Sequence, residues 1–138
     1  MGTVVETVEA HAAGEAGRVI MNMGDQIKGD TMAERFEYVK ANMQDFRQFI
    51  LREPRGFPSL CGVFITPPVT PGADYGIVVL EQGAFTPMSG SNTICSVTAM
   101  LETGRVAMTE PITVVRLDTA VGVVTANAHC KDGKVTAV

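Results

Sequence analysis

The run Ile77-Val78-Val79-Leu80 constrains this chain more than any other feature. Side chains of a strand alternate between two faces, so a run without a polar member has both faces to bury. A sheet that carries it needs a packing layer on each side. Two segments have the period to supply those layers. Met32, Phe36, Val39, Met43, Phe46 and Ile50 recur at steps of three or four, which predicts a helix with one apolar stripe. Thr31 and Glu34 have the spacing of a capping box at its start, with Asp30 as an alternative cap, and Pro54 closes it after about Arg52. The second segment is SNTICSVTAMLET, residues 91–103. Ser91 or Asn92 is the expected N-cap and Gly104 the expected stop. Ile94, Val97, Thr98 and Leu101 form its expected inward face.

Strand signals fill the rest. Residues 3–9 and 18–23 are rich in Val, Thr and Ile, with a turn at HAAGE between them. GVFITPP and YGIVVLEQ flank a Pro71-Gly72 turn. The tail, ITVVRLDTAVGVVTANAHCKDGKVTAV, alternates through three strands, the last pair joined at Asp132-Gly133. The order β-β-α-β-β-α-β-β-β predicts an α+β domain with mainly antiparallel pairing over residues 1–138. KVTAV ends on the final residue, which reads as a strand of a polypeptide that continues.

Composition narrows the partners. Apolar residues make up 46% and charged residues 19%, which argues against disorder. The net charge is −4 and basic residues do not cluster, which disfavours nucleic acid and anionic membrane. No apolar run approaches the ~20 residues of a membrane span, and the acidic start lacks a basic signal region, so cytoplasm is the default location. Cys61, Cys95 and Cys130 are widely spaced without a zinc-ligand pattern, so the expectation is reduced thiols and no metal. The charges in ERFEYVKANMQDFR are the expected solvated face of the first helix.

The segment Pro87-Met88-Ser89-Gly90-Ser91-Asn92 carries the most chemistry. A turn rich in Gly, Ser and Asn leads into a helix start, where amides without internal acceptors and the helix dipole favour an anion. Simple N-capping explains the same residues. Cys95 lies six residues after Ser89, about 120° around a helix at ~100° per residue, and reads as core. His11 falls in a turn, and Glu15 and Arg18 read as a turn ion pair.

PMSGSNTICSVTAMLETG resembles the active-site motif of the proline racemase family, which includes 4-hydroxyproline epimerases and trans-3-hydroxyproline dehydratases. HAAGEAGRVI, with His11, Gly14, Glu15 and Arg18, and EPRG at Glu53–Gly56 resemble two further family segments, in the same order. The resemblance covers essentially this whole chain and about half of the family's usual length. It implies one lobe of a diaminopimelate-epimerase-like two-lobe fold, strands wrapped around a central helix, with the active site between lobes. It implies a cofactor-independent enzyme that removes and returns the α-proton of proline or hydroxyproline through one group from each lobe. Two groups are needed because inversion requires proton transfer on opposite faces.

Ser89 stands where the family's first catalytic Cys is common, and a hydroxyl is a far weaker acid than a thiol. A subgroup similar to this chain pairs such a Ser with a Cys from the second lobe. Ser91 and Phe57 replace His residues common in the family. The resemblance thus makes Ser89 the acid/base position and Gly90, Ser91 and Asn92 the carboxylate-binding helix start. Its rivals are a hydroxyproline dehydratase, and a non-catalytic truncated or split lobe. A homodimer or a separately encoded second lobe is the expected protein partner.

Overall fold

A computed structural model describes residues 2–138. Strands β1 (Thr7–Ala12) and β2 (Glu15–Ile20) form a hairpin, followed by a short 3-10 turn at Gly24–Gln26. Helices α1 (Met32–Asn42) and α2 (Gln44–Leu51) come next, then strands β3 (Cys61–Thr66), β4 (Tyr75–Leu80) and β5 (Phe85–Thr86). Helix α3 (Gly90–Glu102) precedes β6 (Ile112–Thr119), β7 (Gly122–Lys131) and β8 (Lys134–Ala137). The sheet runs β1-β2-β3-β4-β6-β7-β8, with β5 paired to β4. Pairing is antiparallel except at β2–β3 and β4–β6. Those two parallel pairs are the ones bridged by helices, as a parallel crossover requires.

The β4 run is buried at every position, and its alternation sorts it between two layers. Ile77 and Val79 join Val19, Val63, Val97, Leu101 and Leu117 in the core around α3. Val78 and Leu80 join Ile20, Phe64, Met32, Val39 and Ile50 in the core beneath α1 and α2. Helix α3 touches β1 and β2 at one end of the sheet and β7 and β8 at the other. The sheet therefore curls around α3 as its central helix. Strands β6 and β7 have only the inner layer: Val115, Leu117, Ala126 and Ala128 are buried, whereas Val114 and Val123 are exposed.

Three expectations about the first helix and the strands need correction. The long helix is two, because Met43 leaves helical geometry at φ −122°, ψ 21°. The first two strands are shifted from 3–9 and 18–23, because Ala13 (φ 51°) and Gly14 (φ 93°) make a two-residue turn with Ala12 opposite Glu15. Strand β5 adds a short element to the expected order. Among the described residues no helix is long and apolar enough to cross a membrane.

Candidate active site

Helix α3 starts one residue earlier than expected, and Ser89 rather than Ser91 or Asn92 is its N-cap. Ser89 has extended backbone (φ −148°, ψ 129°). Its carbonyl accepts from the Thr93 amide at 3.0 Å and the Thr93 hydroxyl at 2.7 Å. Its Oγ accepts from the Asn92 backbone amide at 3.4 Å and from Asn92 Nδ2 at 3.1 Å. Ser91 Oγ lies 3.3 Å away. The first turn of α3 contains no acidic residue. The Gly90 and Ser91 amides precede the first intrahelical bond, so they remain donors for an outside acceptor.

These amides sit beside an open groove of about 810 Å3, lined by His11, Gly90, Ser91, Ile94, Thr98 and Val135 among others. The groove lies between the two unpaired sheet edges, β1 and β8, with α3 as its floor. A Cβ built on Gly90 meets nothing within 4 Å, so packing does not require glycine there, while its absence leaves the backbone bare to a ligand. Ile94 and Thr98, expected in the core, are half-buried groove residues instead. The buried face of α3 is Asn92, Thr93, Cys95, Ser96, Val97, Ala99, Met100 and Leu101. His11 serves the turn and the groove together: its Nδ1 accepts from the Gly14 amide at 3.1 Å while the residue lines the wall.

Of the four residues singled out in the helix start, Ser89 is at the cap and Gly90 and Ser91 face the groove. Asn92 does not. It is 1% exposed, with its side chain directed inward. Cys95 packs in the core as expected, its Sγ only 2.8 Å from where a Cβ on Gly17 would stand. Burial, with Glu15 and Cys61 adding, pushes its thiol up to about 11. Cys130 is buried and Cys61 half-buried.

The ion pair expected between Glu15 and Arg18 is not formed. Arg18 points across the hairpin to Glu9 at 2.7 Å and donates to the carbonyls of Ile50 and Arg55, both at 2.7 Å. Side chains of neighbouring strands reach each other more readily than residues three apart on one strand, which lie on opposite faces. Arg18 thereby ties the first motif segment to the Glu53–Gly56 segment. Among the described residues no group of three His, Cys, Asp or Glu side chains is placed to hold a metal ion.

The sequence profile of the proline racemase family matches residues 7–138. The chain belongs to the proline racemase family. It is 42% identical to a 4-hydroxyproline 2-epimerase of Streptosporangium roseum over 98% of this chain and 40% of that protein. It is 36% identical to a proline racemase of Clostridioides difficile over 94% of this chain and 39% of that protein. The crystal structure of a hydroxyproline epimerase from Agrobacterium vitis with bound trans-4-OH-L-proline superposes with a TM-score of 0.90 at 36% identity. That match covers 95% of this chain and 39% of the other. This member of the proline racemase family thus spans about 40% of the length of the curated relatives it matches, one lobe of their fold.

Proposed function

We propose that this chain is the first lobe of a cofactor-independent epimerase acting on 4-hydroxyproline or proline, with Ser89 as one of its two proton-transfer groups. The observation that carries the reading is the open start of α3. Ser89 Oγ is held at the cap by the Asn92 amide, one residue before Gly90 and Ser91, which line the groove. A carboxylate bound there would receive two backbone hydrogen bonds and the positive end of the helix dipole. That anchor also stabilises the charge that spreads onto the carboxylate as the α-carbon loses its proton. The α-carbon is one bond from the carboxylate, so the anchor brings it to the vicinity of Ser89. The bound hydroxyproline of the Agrobacterium vitis relative supports the same substrate class.

Ser89 serves one face of the substrate. The opposite face needs a second group, which we assign to a second lobe, separately supplied or continuous with this one. The test is proton exchange at the α-carbon of trans-4-hydroxy-L-proline, followed by NMR in deuterium oxide. The chain alone is expected to give neither exchange nor epimer. Combined with the remaining 60% or so of the Streptosporangium roseum relative, it is expected to give both, and Ser89→Ala is expected to abolish them. Turnover by the chain alone would overturn the two-lobe assignment.

A further inference from the structure

Asn92 presents an anomaly. It is 1% exposed, and its Oδ1 is buried without a hydrogen-bond partner. An orphaned buried acceptor is destabilising, so the rest of this side chain must have a compensating role. The amide lies in a pocket made by the absence of a side chain: a Cβ on Gly17 would stand 3.4 Å from Oδ1. Gly17 pairs in register with Cys61, so the Cys61 thiol flanks the same pocket.

The two ends of the amide are not equivalent. Nδ2 donates to Ser89 Oγ at 3.1 Å. Burial pushes the Cys61 thiol up, Glu15 and Glu81 push it further, and the Asn92 amide opposes them. Cys61 Sγ lies 4.0 Å from Glu15 Oε1 with the thiol as donor. With the amide turned over, Oδ1 would accept the Ser89 proton and Nδ2 would lose its bond to Ser89 Oγ.

We infer that Asn92, seated in the space left by Gly17, is a positioning residue that makes Ser89 a proton donor toward Ser91 and the groove that Ser91 lines. Its Nδ2 and its backbone amide both donate to Ser89 Oγ, so the hydroxyl proton has to point away from them, toward Ser91 or a ligand. When that O–H bond breaks and the proton forms a C–H bond at the substrate's α-carbon, the electron pair stays on Oγ. The resulting alkoxide is held by two N–H donors already in place. In the reverse direction the alkoxide takes the α-proton back. The inference rests on Ser89 being the proton-transfer group, but its geometric content is testable in this chain alone.

Ser89→Cys places a titratable thiol at the cap. The pH dependence of its alkylation by iodoacetamide, resolved by peptide mass spectrometry, reports the donors aimed at it. The expected midpoint lies below that of an ordinary cysteine. Adding Asn92→Ala, which keeps the backbone amide, is expected to raise the midpoint by about one unit, a tenfold loss of thiolate on the acid side. Adding Asn92→Asp, which keeps the shape and removes the donor, is expected to raise it further. An unchanged midpoint in either double variant, with unchanged circular dichroism, overturns the inference. Should either double variant fail to fold, Ser89→Ala alone suffices. It is expected to shift the Asn92 side-chain amide resonances, and unmoved resonances overturn the inference equally. These readouts need no turnover, so failure here is distinct from failure of the epimerase reading.

Discussion

Helices α1 and α3 begin with the same local device and finish it differently. At α1, Thr31 Oγ1 accepts from the Glu34 amide at 3.1 Å, and the Glu34 carboxylate returns to the amides of Thr31 and Asp30 at 3.4 and 2.7 Å. The positive end of the helix is closed by a charge of its own. At α3, Ser89 takes the place of Thr31, but residue N3 is Asn92, whose amide donates to the cap where Glu34 accepts. No carboxylate enters that first turn. Burial accounts for why α3 tolerates an open end. Two residues of α1 are buried, against eight of α3. A helix held along its length by packing does not depend on its cap, and its free amides become available to a ligand.

The comparison breaks most directly at the packing. Leu101 is buried at the inner face of α3, and Leu101→Ala is expected to cost about 2–5 kcal/mol, read as a fall in the urea midpoint. A loss near that of a cap substitution would refute the view that burial holds α3.

The second test is acid. Asp118 Oδ2 accepts from the Val69 and Thr70 amides at 2.7 and 2.9 Å, close to the start of α1. Burial alone would raise its carboxyl. Hydrogen bonds from Thr70 and Val69, with Arg35 nearby, outweigh burial and hold it below the usual carboxylate range. A depressed folded value means the stabilisation is complete above the ordinary carboxylate value of about 4 and lost as pH falls through the folded value. Asp118→Ala is expected to cost about 1.5–3 kcal/mol at neutral pH. The two stability curves should converge below about pH 4. Parallel curves down to pH 2 would remove Asp118 from the account.

The third effect is smaller. Thr31→Ala is expected to cost about 1 kcal/mol, with helicity lost locally at α1 and hydrogen exchange accelerated there first. Exchange rising equally in α3 would deny the separation between the helix starts.

How legible these features were depends on how local their causes are. The Thr31–Glu34 box, the Gly104 stop and the double burial of Ile77–Leu80 follow from neighbouring residues, and the structure contains them. The break at Met43 has no Gly or Pro to announce it, because the apolar steps run on through Phe46 and Ile50. The first hairpin is hard to place from sequence because its turn puts Ala13, not Asn or Gly, first at positive φ. The motif singles out Ser89, Gly90 and Ser91, which the structure brings together at the start of α3. The inward turn of Asn92 depends on Gly17, 75 positions away, and no periodicity reports such a contact. Ile94 and Thr98 looked like core residues because amphipathic spacing cannot tell a packed face from one that floors a groove between unpaired edges.

The smallest effect isolates the open end itself. Ser91→Asp places a carboxylate in the first turn of α3, as Glu34 does in α1. The charge is expected to add about 0.3–1 kcal/mol of stability through the helix dipole. It would also occupy the amides that an incoming carboxylate requires. In the unaltered chain, acetate or trans-4-hydroxy-L-proline at millimolar concentration is expected to shift the Gly90 and Ser91 amide resonances and leave those of Met32 and Ala33 in place. In the Ser91→Asp chain the α3 shifts are expected to vanish while the melting temperature rises slightly. Glu34→Ala is the mirror experiment, expected to make the α1 amides respond to acetate and to lower stability. The two substitutions exchange the behaviour of the helix ends only if a carboxylate in the first turn is what separates them. Undiminished acetate shifts in Ser91→Asp would place the anion elsewhere in the groove and detach the helix start from substrate binding.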